Sequence, residues 1–382
     1  MSDFHLQENT LIKVKNRQNT HSLKWDKFPA DVIPMWVADM DFASPEPIIK
    51  AIQDRVSDGV FGYTKADAEL DQAIIDNARN NYDWEIKAKE IDYLPGLVCA
   101  LHVAVRAFTQ ADEAVIIPGP VYFHLTKAAE LANRKIHSIP MVINNDRWLP
   151  DMEAFALACA DTKSKLILLC NPHNPGGTVF NREELEQIHA LAKQHNLIVV
   201  SDEIHCDLIL DEGLKHIPFA SLNADAASRT VTLMAPSKTY NVAGLGLAYS
   251  VTQNLTLKNT FNLARSGIMP DPNLLAFNAT KAAYTQCQEW HQDLIKYLRK
   301  NRDLIQQRLA PTQCKVSQIE ATYLAWIDVS YLKLDNAEAY FLKAGVAISD
   351  GKQFGNPNFI RLNFGCSYQQ LDQALTRLLK VL

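Results

Sequence analysis

The residue in this chain best suited to covalent chemistry is Lys238, at the exit of a β-rich run in APSKTYNVAGL (235–245), between the hydroxyl residues Ser237 and Thr239. In a shielded pocket a lysine loses basicity and condenses readily with carbonyls as a Schiff base; a lone surface lysine is the ordinary alternative. Asp202, in SDEIHCD (201–207), follows four apolar residues. A carboxylate at the end of a buried strand is costly unless it meets a cation, such as a protonated ring nitrogen. A helix cap or a structural salt bridge would serve equally.

Two further segments can bind rather than react. NPHNPGG (171–177) follows KLILLC, and its two Asn-Pro steps and two glycines make a rigid turn that can present an Asn side chain or simply reverse the chain. In LPGLVCALHVAVRAF (94–108), Gly96 leads into an apolar helix, whose free N–H groups and dipole bind phosphate, although many helices begin after Pro-Gly. What joins these features is their order: a phosphate cradle, the aromatic Tyr122 in PVY, an Asn turn, an Asp and a Lys, at successive strand ends. In an open parallel α/β sheet, ligands bind beyond the carboxyl ends of the strands.

The elements that must position them are short apolar runs alternating with helical patterns between about residues 90 and 250: AVIIP (114–118), KLILLCN (165–171), LIVVSDEI (197–204) and TVTLMAPS (230–237). Near-continuous apolar strands separated by helices predict a parallel sheet covered on both faces. Asn181 and Glu184 stand at capping-box spacing before a helix ending near His195. A helix is expected from a Ser44 cap with Pro45 to about Gly59, and one or two more over 273–310. Strands near YLAWIDV (323–329) and FIRLNF (359–364) and a closing helix over 367–380 follow. The expected architecture is α/β, with a large domain over 50–285 and a smaller α/β domain built from both chain ends, 1–49 and 286–382.

Composition narrows the function. With 382 residues and 47% hydrophobic content the chain can bury a continuous core. A balance of 38 Lys+Arg against 43 Asp+Glu, net −5, lacks the basic excess that nucleic acid demands. The start, MSDFHLQENTLIKVKNRQ, has no signal-like apolar core, and no apolar run reaches the roughly 18 residues of a membrane span. A cytoplasmic protein with no membrane partner is expected. Seven scattered cysteines without a C-x-x-C pair suggest neither a disulfide framework nor a metal site.

The chain resembles the fold-type I pyridoxal 5′-phosphate (PLP) enzymes of the class I/II aminotransferase group, which share the aspartate-aminotransferase fold. Within them it is most similar to the cystathionine β-lyase or cysteine-S-conjugate β-lyase branch of MalY/PatB type. The resemblance runs nearly end to end, through KWDKFPADVIPMWVADMDFASP (24–45), FGYT (61–64), PGLVCAL, PGPVYFHL, NPHNPGG, SDEIHCDL, APSKTYNVAGL and FIRLNFGCS. It implies that Lys238 is the Schiff-base lysine and Asp202 the partner of the pyridine nitrogen. Asn174 would donate to the phenolic oxygen, and Tyr122 would stack on the ring. Gly96, Leu97 and Val98 would offer amides to the phosphate with Ser237, while Tyr63 would reach it from the other subunit of a homodimer. Arg361, with Asn174 and Tyr122, would hold the substrate, its guanidinium clamping the carboxylate.

The sequence also departs from typical aminotransferases. His205, grouped with the cofactor contacts, stands where many have Tyr; Gly246 stands eight residues after Lys238, where a phosphate-binding Arg is common; and Ala235 replaces a common Ser. Phosphate binding should lean more on the helix N-terminus and Tyr63. The activity implied is α,β-elimination from a small sulfur amino acid, giving from cystathionine homocysteine, pyruvate and ammonia. Transamination by the same residues, and a regulatory protein retaining the fold, are the alternatives.

Overall fold

A computed structural model describes residues 11–382; the first ten residues of the stretch read for a signal sequence, and of the expected small domain, lie outside them. The alternating apolar runs build an eight-stranded sheet. Its strands are β1 (Ile91–Leu94), β2 (Ala114–Gly119), β3 (Lys135–Asn144), β4 (Arg147–Pro150), β5 (Ser164–Cys170), β6 (Ile198–Asp202), β7 (Thr230–Met234) and β8 (Ala248–Val251), in the spatial order β1-β8-β7-β6-β5-β2-β3-β4. The four runs read as strands become β2, β5, β6 and β7, side by side and parallel.

Both edges depart from an all-parallel sheet, with β8 antiparallel to β7 and β1, and β4 antiparallel to β3. The β3–β4 hairpin turns through Asn145 and Asp146 with φ of 50° and 61°, the pair of positive values that matches the twist of a two-residue hairpin. Strand β3, next to the edge strand β4, is largely exposed along its length, so it carries no continuous apolar run to announce it.

Covering both faces of β5, β6 and β7 explains their composition. Leu166, Leu168, Val200, Val231 and Leu233 pack towards the Leu97–Phe108 helix, while Ile167, Leu169 and Val199 pack on the other side with Phe155, Leu185 and Ile188. Helix Arg182–Gln194 opens with the expected capping box: Glu184 N–H donates to Asn181 Oδ1 at 2.9 Å, and Asn181 N–H to Glu184 Oε2 at 2.8 Å. Ser44 does not cap the next helix back. Glu46–Ser57 starts after Pro45 without a side-chain cap, and the Ser44 hydroxyl instead donates to the Asn241 carbonyl at 3.1 Å.

Residues 273–310 form two helices, Leu274–Gln286 and Gln288–Leu309, meeting at Cys287. A second, antiparallel sheet has the order β9-β10-β12-β11, from β9 (Lys315–Val316), β10 (Leu324–Asp328), β11 (Ser349–Asp350) and β12 (Phe359–Asn363). The closing helix is Tyr368–Leu378, capped by Ser367. One core joins the two chain ends, with Met35, Met40 and Phe42 packed among Leu294, Leu298, Leu362 and Leu375. All seven cysteines are free. Among the described residues no helix is long and apolar enough to cross a membrane.

Candidate active site

The carboxyl ends of β6 and β7 open into a cleft of about 560 Å³, bordered by the Pro95–Val98 turn, by Tyr122 and Asn174, and by Arg361 on β12. Strand β6 ends on Asp202, and there the chain leaves the sheet. The Asp202 carboxylate is buried and accepts a hydrogen bond from the Ile204 N–H at 3.2 Å. Burial pushes its pKa up to about 7, with the Glu203 charge adding and Lys238 opposing. A carboxylate held in this way gains most from a cation brought to it.

Beyond β7 the chain reaches Lys238, whose Nζ donates to the Ala38 carbonyl at 2.8 Å. Loss of water lowers its pKa to about 8, with the Arg361 charge adding and Asp39 and Asp202 opposing. The amine is thus available in its neutral, nucleophilic form at mildly alkaline pH. Thr239 turns away, donating to Asp207 at 3.3 Å, so of the two flanking hydroxyl residues Ser237 borders the cleft.

Alternation along β12 decides where Arg361 points. Ile360 and Leu362 enter the core shared by the chain ends, and Arg361 faces the cleft. Its Nη1 donates to Asn174 Oδ1 and its Nη2 to the Trp36 carbonyl, each at 3.0 Å. The guanidinium lies 4.5 Å from the centre of the Phe354 ring, and Nε has no partner among the described residues. Burial lowers its pKa to about 10. Among the described residues no carboxylate pairs with it, so the structural ion pair that could have explained a buried Arg is missing.

Asn174 is the Asn of the turn that reaches the cleft; Asn171 is fully buried and accepts from Phe180 N–H at 3.0 Å. Tyr122 N–H donates to the Asn174 carbonyl at 2.9 Å, placing the ring on the cleft wall, where burial raises the phenol pKa to about 12. His205 is buried with Nδ1 unpartnered. Burial, then the Lys238 and Arg361 charges, hold its pKa well below the usual value.

Gly96 stands at the N-cap of the Leu97–Phe108 helix with φ 167°, extended backbone open to any residue. An added Cβ there would meet nothing closer than Cys99 Sγ at 4.0 Å. Its missing side chain therefore serves access to the cleft, not the turn. The helix start carries no side-chain cap, leaving amide donors at the edge of the cleft. Opposite, Gly246 has φ +64° and an added Cβ would lie 3.0 Å from the Pro95 carbonyl. The left-handed backbone and that close approach both suit glycine at this position. Tyr63 is fully exposed and borders no part of its own chain's cleft.

The floor of the cleft was not legible as chemistry in the sequence. The segment 36–39 supplies backbone carbonyls: Trp36 accepts from Arg361 and from Ser349 Oγ at 3.0 Å, and Ala38 accepts from Lys238 and from Tyr323 OH at 3.0 Å. Asn363 holds the Asp39 carbonyl at 2.7 Å and also that of Val37. Such roles leave no side-chain signature at the residues that perform them.

These groups fit pyridoxal 5′-phosphate. An uncapped helix start suits its phosphate, a buried carboxylate without an ion-pair partner among the described residues suits its ring nitrogen, and a weakly basic lysine suits its aldehyde.

Comparison with known proteins agrees. The aminotransferase class I and II family model matches residues 30–378. The cystathionine β-lyase PatB of Bacillus subtilis is 38% identical over 380 residues, covering 96% of this chain and 98% of that protein. The crystal structure of OvoB superposes with a TM-score of 0.95 at 41% identity, covering 98% of this chain and 99% of the other. Cystalysin from Treponema denticola, whose structure contains PLP, gives 0.93 at 31% identity, over 97% and 98% of the two chains. With the family match spanning nearly the whole described chain and PatB similar over nearly the full length of both chains, the chain belongs to the aminotransferase class I and II family, and within it to the branch that PatB represents.

Proposed function

We propose that this chain is a PLP-dependent carbon–sulfur β-lyase that converts cystathionine or related cysteine S-conjugates, with water, into a thiol, pyruvate and ammonia. The observation that carries the reading is Arg361: a buried guanidinium with no carboxylate partner among the described residues, in the same cleft as Lys238 and Asp202. A buried cation needs an anion, and an amino-acid substrate brings one. Full-length similarity to PatB and cystalysin supports the sulfur chemistry.

When bound, PLP supplies an electron sink for a bond broken at the substrate Cα. The chain's own residues supply the rest. Asp202 holds a positive charge at the ring nitrogen and so keeps that sink deep. The amides of Leu97 and Val98, with Ser237, anchor the phosphate, and Tyr122 and Asn174 hold the ring. Lys238, with its amine free, would take the Cα proton. Arg361 fixes the substrate carboxylate and thereby the direction of the Cα–H bond.

Arg361→Lys keeps the charge and loses the planar fork. Losing one charge-assisted hydrogen bond worth about 1.5–3 kcal/mol weakens the apparent affinity for cystathionine roughly 10- to 150-fold, with PLP content unchanged. Unchanged affinity with a large fall in melting temperature would assign Arg361 a structural role.

The same reading makes the active unit a homodimer. Exposed Val60, Phe61 and Tyr63 lie on one arm before the sheet, and Tyr63 is proposed to reach the partner's phosphate site. The division into a large unit over 50–285 and a small one from the chain ends belongs to this proposal. Mixing inactive Tyr63→Ala and Lys238→Ala proteins should restore up to about a quarter of the wild-type activity, because random pairing makes half the dimers mixed and one of their two sites intact. Full activity in a diluted monomer would refute it.

A further inference from the structure

Among the described residues, the cationic side chains Lys238 and Arg361 and the carboxylates Asp39 and Asp202 border the cleft. The β-lyase reading gives work to three of them: Asp202 at the ring nitrogen, Arg361 at the substrate carboxylate and Lys238 at the Cα proton. Asp39 is left over, and it stands beside the lysine. Lys238 Nζ donates to the carbonyl of Ala38, the residue before it, at 2.8 Å, and the Tyr323 hydroxyl shares that carbonyl at 3.0 Å. Asn363 pins the backbone of Asp39, donating to its carbonyl at 2.7 Å. The Asp39 side chain is held on one oxygen only. Its Oδ2 accepts from Arg17 Nη2 at 2.9 Å, whereas Oδ1 is buried with no hydrogen-bond partner among the described residues. Lys24 Nζ lies 4.0 Å from that oxygen but donates instead to Asp41 Oδ2, at 2.9 Å, and to the Asp39 carbonyl, at 3.3 Å.

A lysine that takes a proton in this cleft becomes an ammonium near the Arg361 guanidinium and the His205 ring. Burial and Arg361 both disfavour that charge, and Asp39 and Asp202 act against them. Once Asp202 faces a ring nitrogen, Asp39 is the carboxylate still open to the lysine. Resting on the β-lyase reading, we propose that Asp39 is the counter-charge that holds Lys238 once it carries the Cα proton, and that Arg17 behind it sets how much of that charge the lysine feels. The proton passes from Cα to Nζ, the electron pair of the broken C–H bond goes to the cofactor's sink, and Asp39 stays ionised throughout. Arg17 and Lys24 balance Asp39 and Asp41 in one ion-pair cluster. Neutralising Asp39 leaves that cluster with an excess positive charge, and neutralising Arg17 an excess negative one, so the two changes act on Lys238 with opposite sign.

Trace acetylation of Lys238 by acetic anhydride, followed across pH in the full-length apoprotein by peptide mass spectrometry, reads the neutral amine without PLP or substrate. Asp39→Asn keeps the shape and removes the charge, so the ammonium loses support and the Lys238 titration should move down by about one pH unit, the low end of what a nearby opposite charge supplies. Arg17→Gln should move it up. In PLP-loaded protein, Asp39→Asn should lower kcat for cystathionine roughly 3- to 10-fold, up to the factor that one pH unit represents, with KM and PLP content within about twofold of wild type. Asp39→Glu restores the charge and should recover most of the loss. A Lys238 titration unmoved in Asp39→Asn, shifts of one sign in both variants, or a normal kcat in Asp39→Asn overturns the proposal. If the Asn protein does not fold, the presence or absence of the rise in Arg17→Gln decides. Opposite shifts in the apoproteins with no pyruvate from wild type would support the pairing of Asp39 with Lys238 and overturn the β-lyase reading alone.

Discussion

Lys238→Ala should lose turnover of cystathionine by about 1,000-fold or more, the range expected for removing a positioned proton-transfer group. Two functions disappear together: the amine that condenses with PLP and the base that takes the Cα proton. The variant should still bind PLP through its phosphate and ring, so the cofactor is retained but no longer fixed by borohydride. A reducible covalent adduct at another lysine would sink the assignment. The pH dependence of reconstitution checks the same residue from another side. Burial holds the Lys238 pKa at about 8, below an ordinary lysine, and only the neutral amine condenses. The rate of covalent PLP attachment to the apoprotein should therefore rise as pH increases towards 8 and level off above it. A rate still climbing steeply at pH 10 would point to an unshifted lysine.

Asp202→Asn is the second large effect. The substitution preserves shape and removes charge, so the ring nitrogen is no longer held protonated. Turnover should fall by roughly 100- to 1,000-fold, comparable to losing a preorganised electrostatic contact, while borohydride still fixes PLP on Lys238. The sign of the present shift agrees with this role. Burial raises the Asp202 pKa to about 7 even with the Lys238 charge opposing, and a cation brought against the carboxylate must lower it again. Near-normal turnover in the Asn variant would return Asp202 to the structural role of a strand-end cap, which its bond from Ile204 N–H already allows.

What was legible in the sequence divides along physical lines. Strands β2, β5, β6 and β7 are buried on both faces, so their composition alone announced them. Strand β3 and the edge strand β4 are only half-covered and are defined by the Asn145-Asp146 turn, which apolar runs do not reveal. Lys238 and Asp202 were readable because a charged group at a buried strand end demands a reason. Ser44 was misassigned because a good cap and a good tertiary donor look alike in one dimension, and Asn241 won the hydroxyl.

The floor was legible only as a motif. MWVADMDF marked a family resemblance, but its cleft contacts run largely through the carbonyls of Trp36, Val37, Ala38 and Asp39, which any residue types could supply. Asn241 adds to this, donating to the Met40 and Phe42 carbonyls at 2.9 and 2.8 Å from a position three residues after Lys238. One short segment thus couples the lysine loop to the core of the chain ends, and the chemistry of the site depends on residues whose identity conveys little.

The most direct test of the central claim is an end-point assay of pyruvate from L-cystathionine with purified, PLP-loaded protein and no keto acid added. The account predicts pyruvate, ammonia and homocysteine in equal amounts, at many turnovers per active site. A reaction that stops near one turnover and resumes when a keto acid is supplied, with no free thiol formed, would contradict it and identify an aminotransferase.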